Sequence, residues 1–194
     1  MRPFLVGVAG GTASGKTTIT RRAAAALGAP VLTHDRYYLD APNPRGHDFD
    51  RPESLETPLL VAHVAALARG EAVDVPVYAF ATHSRQTETE RIEPAPVIFV
   101  EGILVLAEPA LVFDLRVFVH ADDDLRLARR IRRDVAERGR TWDDVLRQWF
   151  ETVRPAHVKH VAPSAATAHL VLDGERPTDE TVAQLLAAIA TSTG

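Results

Sequence analysis

FLVGVAGGTASGKTTI, running from Phe4 to Ile19, decides how the rest of this chain is read. Its first half is a continuous apolar run of the kind that forms a strand buried on both faces. Its second half, GGTASGKT from Gly10 to Thr17, fits the pattern G-x-x-x-x-G-K-[ST] and opens onto a helical stretch. Glycine can take positive φ and lets the backbone approach a ligand closely, so successive amides of Gly10, Gly11, Thr12, Ala13, Ser14 and Gly15 can surround phosphate oxygens at a helix N-terminus. Lys16 would reach the β- and γ-phosphates, the Thr17 hydroxyl would face Mg²⁺, and Thr18 is counted with them in the nucleotide site. The expected ligand is ATP with Mg²⁺. Only Lys16 and Lys159 of the 22 basic residues are lysine, so a compact ammonium is kept at a site where a planar guanidinium would not fit.

Outward from this loop, apolar strand-type runs recur at Val31 to Thr33, Val97 to Val100, Leu115 to Val119 and Leu170 to Leu172. Helical patterns lie between them, at Lys16 to Leu27, Pro58 to Arg69, Asp122 to Glu137, Trp142 to Val153 and Thr178 to Ala190. This alternation predicts an α/β fold of the P-loop NTPase type: a parallel sheet flanked by helices, in a single domain over residues 1–194. Two insertions stand apart. VDVPVYAF and TETERI flank a polar His83-Ser84-Arg85 turn and read as a β-hairpin over about 73–93. Residues from about 122 to 141 carry seven arginines between Arg126 and Arg140 and read as an Arg-rich helical lid. The proline-rich segment from Asp40 to Pro58 lacks periodicity and reads as a functional surface loop.

Composition closes several alternatives. A chain of 194 residues with 46% hydrophobic content supports one well-buried core. The net charge of −4 argues against a polynucleotide partner, which calls for basic excess. No apolar run reaches the roughly 18 residues a membrane span needs, and the N-terminus has no export pattern, so a cytoplasmic protein with no membrane partner is expected. The absence of cysteine removes thiolate metal sites and thiol nucleophiles. Scarce Asn, Met and Cys suit a heat-adapted protein or a GC-rich genome equally.

The site candidates follow from where strands end. VIFV leads into Glu101, which the sheet would deliver to its carboxyl edge beside the phosphate loop, where it can hold Mg²⁺ with Thr17. PVLTH leads into Asp35, placed to take the proton of an attacking hydroxyl. Either acid could instead be a surface strand end or a turn cap. Asp50 offers a second carboxylate for the hydroxyls of a ribose. Arg126, Arg129, Arg130 and Arg133 share one helical face, and two to four lid arginines are expected on phosphate or sugar, with the remainder paired to Asp122, Asp123, Asp124, Asp134 and Glu137 on a solvated helix. Tyr78, Phe80 and His83 could recognise a base by stacking and by imidazole hydrogen bonds, although local hairpin packing explains them too. His157 and His160 lack a third ligand and are not read as a zinc site. Trp142 and Trp149, seven apart, read as core.

As a set, VGVAGGTASGKTT, HDRYYLD, FDRPESLE, VPVYAFATHSRQTE, VIFVEGIL and RIRRDVAERGRTWDDVLRQW resemble the uridine kinase (uridine-cytidine kinase) family from about Leu5 to Pro163. The resemblance implies transfer of the γ-phosphate of ATP to the 5′-hydroxyl of a pyrimidine ribonucleoside. It implies Asp35 as base, Asp50 with Arg130 on the ribose hydroxyls, and Tyr38, Phe49, Tyr78, Phe80, His83 and Gln148 around the nucleoside. It implies Thr17 and Glu101 on Mg²⁺, and Arg133, Arg138 and Arg140 in a phosphate-facing lid, Arg133 with Lys16 assisting transfer. A homotetramer and feedback inhibition by pyrimidine triphosphates are implied in the same way. Three features depart from the family pattern: a short Tyr38 to Phe49 segment, Arg51 after Phe-Asp, and Ala79 between Tyr78 and Phe80. Nicotinamide riboside kinase, pantothenate kinase and phosphoribulokinase share the phosphate machinery and differ in the acceptor pocket. A guanine-binding switch is disfavoured because Asn43, the only asparagine, is not in an Asn-Lys-x-Asp setting.

Overall fold

The structure, a computed structural model, describes residues 2–41, 48–80 and 82–193. The short Tyr38 to Phe49 segment falls largely on 42–47, outside the described residues.

β1 (Phe4–Gly10) is the centre of a parallel sheet with β2 (Val31–Thr33), β5 (Val97–Glu101), β6 (Leu115–His120) and β7 (Leu170–Asp173), in the order β2-β5-β1-β6-β7. α1 (Lys16–Leu27) follows β1 directly and ends on Gly28 in the left-handed conformation. α1 packs on α6 (Thr178–Thr193) across one face of the sheet. Side chains alternate along the strands. Val6, Val8, Phe99, Val117 and Leu172 belong to the core under α1 and α6. Leu5, Ala9, Ile98, Val100 and Phe118 belong to a second core shared with Leu60, Val64 and Leu67 of α2 (Thr57–Ala68). With both faces covered, the strands need apolar residues at every position, which is why they read as unbroken runs. Gly7 interrupts β1 because the Phe113 ring occupies the place of its missing side chain.

The expected hairpin is present: β3 (Val73–Ala79) pairs antiparallel with β4 (Ser84–Ile92), separate from the main sheet. Strand pairing extends to Ala79 and Ser84, so Ser84 and Arg85 belong to the strand, and the turn lies nearer Phe80 and His83 than expected. α3 (Asp123–Arg138) carries six of the seven arginines of the run and stops at Gly139, again left-handed, with Arg140 just beyond.

Two expectations are corrected beyond it. The helix expected to stop at Val153 continues: α4 (Trp142–Gln148) passes through a π-helical stretch (Trp149–Val153), the single α turn α5 (Arg154–Ala156) and a second π stretch to Val161. Pro155 cannot donate a backbone hydrogen bond and crowds the preceding turn, and π-helical stretches lie on both sides of its turn. Trp149 is core, at 2% exposure, but Trp142 is 62% exposed. It is the first residue of α4, and a shared helical face does not ensure that something packs against both ends.

Candidate functional site

The register of the sheet sets the site. Val8 pairs with Glu101 and Thr33 pairs with Glu101, so β1, β2 and β5 end together at one carboxyl edge. The phosphate loop leaves β1 there with Gly10, Ala13 and Gly15 all at positive φ, closed by the Ser14 amide donating to the Gly11 carbonyl at 3.1 Å. A Cβ on Gly10 would strike the Val119 carbonyl oxygen, and one on Gly11 would strike the Arg126 guanidinium. Gly174, after β7, packs so tightly on the Ser14 carbonyl that a side chain there would deform the loop from below.

Lys16 and Glu101 are both buried, with Lys16 Nζ 3.8 Å from Glu101 Oε2. The Thr17 hydroxyl donates to the same Glu101 oxygen at 3.2 Å. Burial pushes the Glu101 carboxyl up, and the Lys16 ammonium opposes that. Mg²⁺ is a hard cation that takes one or two protein oxygens and otherwise phosphate and water. Two converging oxygens, one from a buried carboxylate, fit that requirement. Among the described residues no group of three or more His, Cys, Asp or Glu forms a protein-only metal cage.

The loop opens into a cavity of about 1000 Å³. Asp35 lines it, in the short 3₁₀ turn His34–Tyr37 just past β2 rather than on the strand itself. Lys16, Thr17, Thr18, Tyr38, Phe49, Asp50, Tyr78, Phe80, His83, Glu101, Arg130, Arg133, Arg138, Arg140 and Gln148 line the same cavity. Thr12, Ala13 and Gly15 do as well, whereas Gly10, Gly11 and Ser14 shape the loop from behind.

One end is aromatic. Tyr38 meets Phe49 edge-on at 5.7 Å and Tyr78 at 5.6 Å. Phe49 and His83 stack at 4.9 Å, with His83 at positive φ. Tyr78 meets Phe80 at 5.2 Å, and the Arg138 guanidinium lies over the Phe80 ring at 5.8 Å. The Tyr78 hydroxyl is buried without a hydrogen-bond partner among the described residues. Asp50, beside this wall, is 8% exposed, and burial raises its carboxyl from 3.8 to about 6 although Arg130 pulls the other way.

Arginines of α3 form another part of the lining, and their shared face divides. Arg126 is fully buried, 5.2 Å from the Trp149 ring, donates to the Ala121 carbonyl at 3.1 Å and pairs with Asp123. It supports the loop from outside the cavity. Arg129 donates to the Gly174 carbonyl at 2.9 Å. Arg130 donates to the Thr12 hydroxyl at 3.2 Å and to Gln148 Oε1 at 2.7 Å. The expectation of a solvated helix fails at Asp134, which is completely buried among arginines.

Sequence reasoning also missed Arg85. Its guanidinium donates to the carbonyls of Tyr37 at 2.8 Å and Tyr38 at 2.9 Å and pairs with Glu56, while its amide donates to Asp40 Oδ1 at 2.7 Å. A second pair, Arg36 with Glu90, joins the same two segments. The hairpin is thereby fixed to the turn that carries Asp35. A turn-adjacent arginine gave no sign of this, since its partners are backbone groups some 47 residues away in sequence.

Residues 5–181 match the phosphoribulokinase / uridine kinase family. The chain is 46% identical over 182 residues to a uridine kinase of Chloroflexus aggregans, covering 89% of this chain and 87% of that protein. It is 40% identical to a uridine kinase of Deinococcus deserti, covering 89% and 88%. Among solved structures, D-glycerate 3-kinase from Cryptococcus neoformans superposes with a TM-score of 0.65 at 16% identity, over 91% of this chain and 88% of that one. Phosphoribulokinase from Rhodobacter spheroides gives 0.63 at 15%, over 89% and 70%. These two likenesses establish the α/β fold with a parallel sheet flanked by helices; the family match and the sequence identities go further, and the chain belongs to the phosphoribulokinase / uridine kinase family.

Proposed function

We propose that this protein is a uridine/cytidine kinase that transfers the γ-phosphate of ATP to the 5′-hydroxyl of a pyrimidine ribonucleoside, giving UMP or CMP. The observation that carries the reading is that the phosphate loop, Asp35 and the aromatic side chains of Tyr38, Phe49, Tyr78 and Phe80 line one and the same cavity. The uridine kinase names of relatives at up to 46% identity support the same acceptor.

In this reading Asp35 accepts the proton of the 5′-hydroxyl as its oxygen bonds to the γ-phosphorus, while the bond from that phosphorus to the β-bridging oxygen breaks and ADP leaves. Lys16, Arg133, Arg138 and Arg140 offset the charge spread over the transferring group. Asp50 and Arg130 hold the ribose hydroxyls, and Gln148 lies against the nucleoside. Phe49, Tyr78, Phe80 and His83 enclose the base, and Tyr38 packs behind them. Thr17 and Glu101 would hold Mg²⁺, which when bound neutralises phosphate charge and orients the donor.

The reaction is placed in the cytoplasm, where ATP is plentiful, in a single domain spanning residues 1–194. No helix among the described residues is long and apolar enough to cross a membrane. A homo-oligomer is carried over from the family. Exposed Trp142, Phe150 and Val158 on one helical rod are apolar surface of the kind subunits cover.

The test is a phosphotransfer panel with ATP and Mg²⁺ against uridine, cytidine, nicotinamide riboside, pantothenate and ribulose 5-phosphate. UMP and CMP are the expected products. A turnover confined to any other acceptor would overturn the reading.

A further inference from the structure

Asp134 is a carboxylate with no exposure at all, and four guanidinium groups surround it. Arg133 lies at 2.8 Å from its Oδ1 and Arg138 at 3.6 Å; Arg140 lies at 3.4 Å from its Oδ2. Arg130 Nε stands 3.5 Å from Oδ2, an ion pair without a hydrogen bond. One anion thus faces four cations, and all four cations line the cavity. Guanidiniums crowded this closely repel one another. Burial lowers the pKa of Arg130 and Arg138, neighbouring arginines lower both further, and Asp134 acts in the opposite direction on each.

The four are not anchored equally. Arg130 and Arg140 both donate to Gln148 Oε1, each at 2.7 Å, and Arg130 also reaches Thr12. Arg133 has no ionic or hydrogen-bond partner among the described residues except Asp134. Arg138 has Asp134 and the face of Phe80. Removing the carboxylate would leave Arg130 and Arg140 held by the Gln148 amide and release the other two.

We infer that Asp134 is the positioning residue of the arginine lid: it fixes Arg133 and Arg138 on the cavity wall before the donor arrives, and it acts on transfer only through them. The inference rests on the phosphate-facing role given to these arginines above. Preorganised charge is effective because no reorganisation is needed at the moment of reaction, so the effect falls on transfer rather than on acceptor binding.

The experiment compares the full-length protein with Asp134→Asn, which keeps the shape and removes the charge. The expected result is a kcat lower by about 10- to 100-fold with the KM for uridine changed by less than about threefold. In an Arg133→Ala/Arg138→Ala background the same substitution should add less than about twofold. Equal losses in both backgrounds, or a uridine KM that rises as much as kcat falls, would overturn the inference. Should Asp134→Asn not fold, the unsubstituted protein decides by side-chain ¹⁵N NMR without nucleotide. A slowly exchanging Arg133 Nε–H signal, assigned by its loss in Arg133→Lys, supports the anchor, and a motionally averaged signal refutes it. The NMR result does not depend on the acceptor, so absence of uridine phosphorylation would remove the nucleoside reading alone.

Discussion

The Thr17 hydroxyl and the Glu101 carboxylate meet at 3.2 Å although 84 residues separate them, one on the first turn of α1 and the other at the last position of β5. Parallel pairing of β1 with β5 brings them together, and the burial of Glu101 beside Lys16 makes its charge dependent on that cation. Glu101→Gln keeps the volume and loses the charge. We expect the Mg²⁺ concentration for half-maximal rate to rise and turnover to fall by about 10- to 100-fold, measured by Mg²⁺ titration at fixed ATP. An unchanged Mg²⁺ requirement would exclude Glu101 from holding the ion.

Asp35 lines the cavity from the 3₁₀ turn after β2 and is no part of the phosphate loop. Asp35→Asn is therefore expected to lower kcat by about 10²- to 10⁴-fold while leaving ATP affinity within about twofold. Steady-state rates paired with calorimetric ATP binding separate the two effects. Near-normal turnover would take the role of base from Asp35.

Asp50 supplies a pH dependence whose sign follows from its burial. Its carboxyl is raised from 3.8 to about 6, with Arg130 and Arg140 opposing and Asp48 and Asp35 assisting the shift. If the ionised form accepts both ribose hydroxyls, kcat/KM for uridine should level off above pH 6 and fall about tenfold per unit below it. The folded protein holds this proton more tightly than the unfolded chain, so stability contributed by the group is full at low pH and declines as pH rises between the two values. Asp50→Asn should remove that slope from thermal midpoints recorded across the range. A flat kcat/KM profile down to pH 5 would show that ionised Asp50 is not needed.

Arg85 anchors the hairpin to the Asp35 turn through the carbonyls of Tyr37 and Tyr38 and through Glu56. Arg85→Ala removes the guanidinium from the Tyr38 carbonyl and the Glu56 carboxylate, while the Tyr37 carbonyl keeps the Glu56 amide, at a cost of about 2 kcal/mol, equivalent to a midpoint lower by about 4–8 °C. The aromatic wall should loosen with it. We expect the uridine KM to rise about five- to tenfold and the ATP KM to stay within about twofold, since the hairpin makes no part of the phosphate loop. Equal changes in both constants would mean that Arg85 supports the whole fold and not the acceptor wall.

Periodicity and punctuation make much of this molecule legible in its sequence. The strand at Val31–Thr33 and the helix at Lys16–Leu27 coincide with the expectation to the residue, because one is bounded by Pro30 and the other by Gly15 and Gly28. Glu101 could be placed because a buried strand must end at a sheet edge. Pattern failed where local and non-local terms compete. Trp142 shares a helical spacing with Trp149 but not its burial. Pro155 ought to stop a helix, and the π-helical stretches on either side of it carry the chain through.

The sequence by itself determined the phosphate grip, since Gly10 to Thr17 is contiguous and its geometry depends on dihedral freedom and a helix start that local residue types specify. The fastening of the hairpin by Arg85 and the gathering of four arginines on Asp134 were decided by tertiary structure alone. Arg85 was an unremarked residue of a turn and Asp134 one acid in a charged helix until folding gave the first two distant carbonyls and the second four guanidiniums. Charge and hydrogen bonding act through distance and desolvation, and neither can be read from a position along the chain.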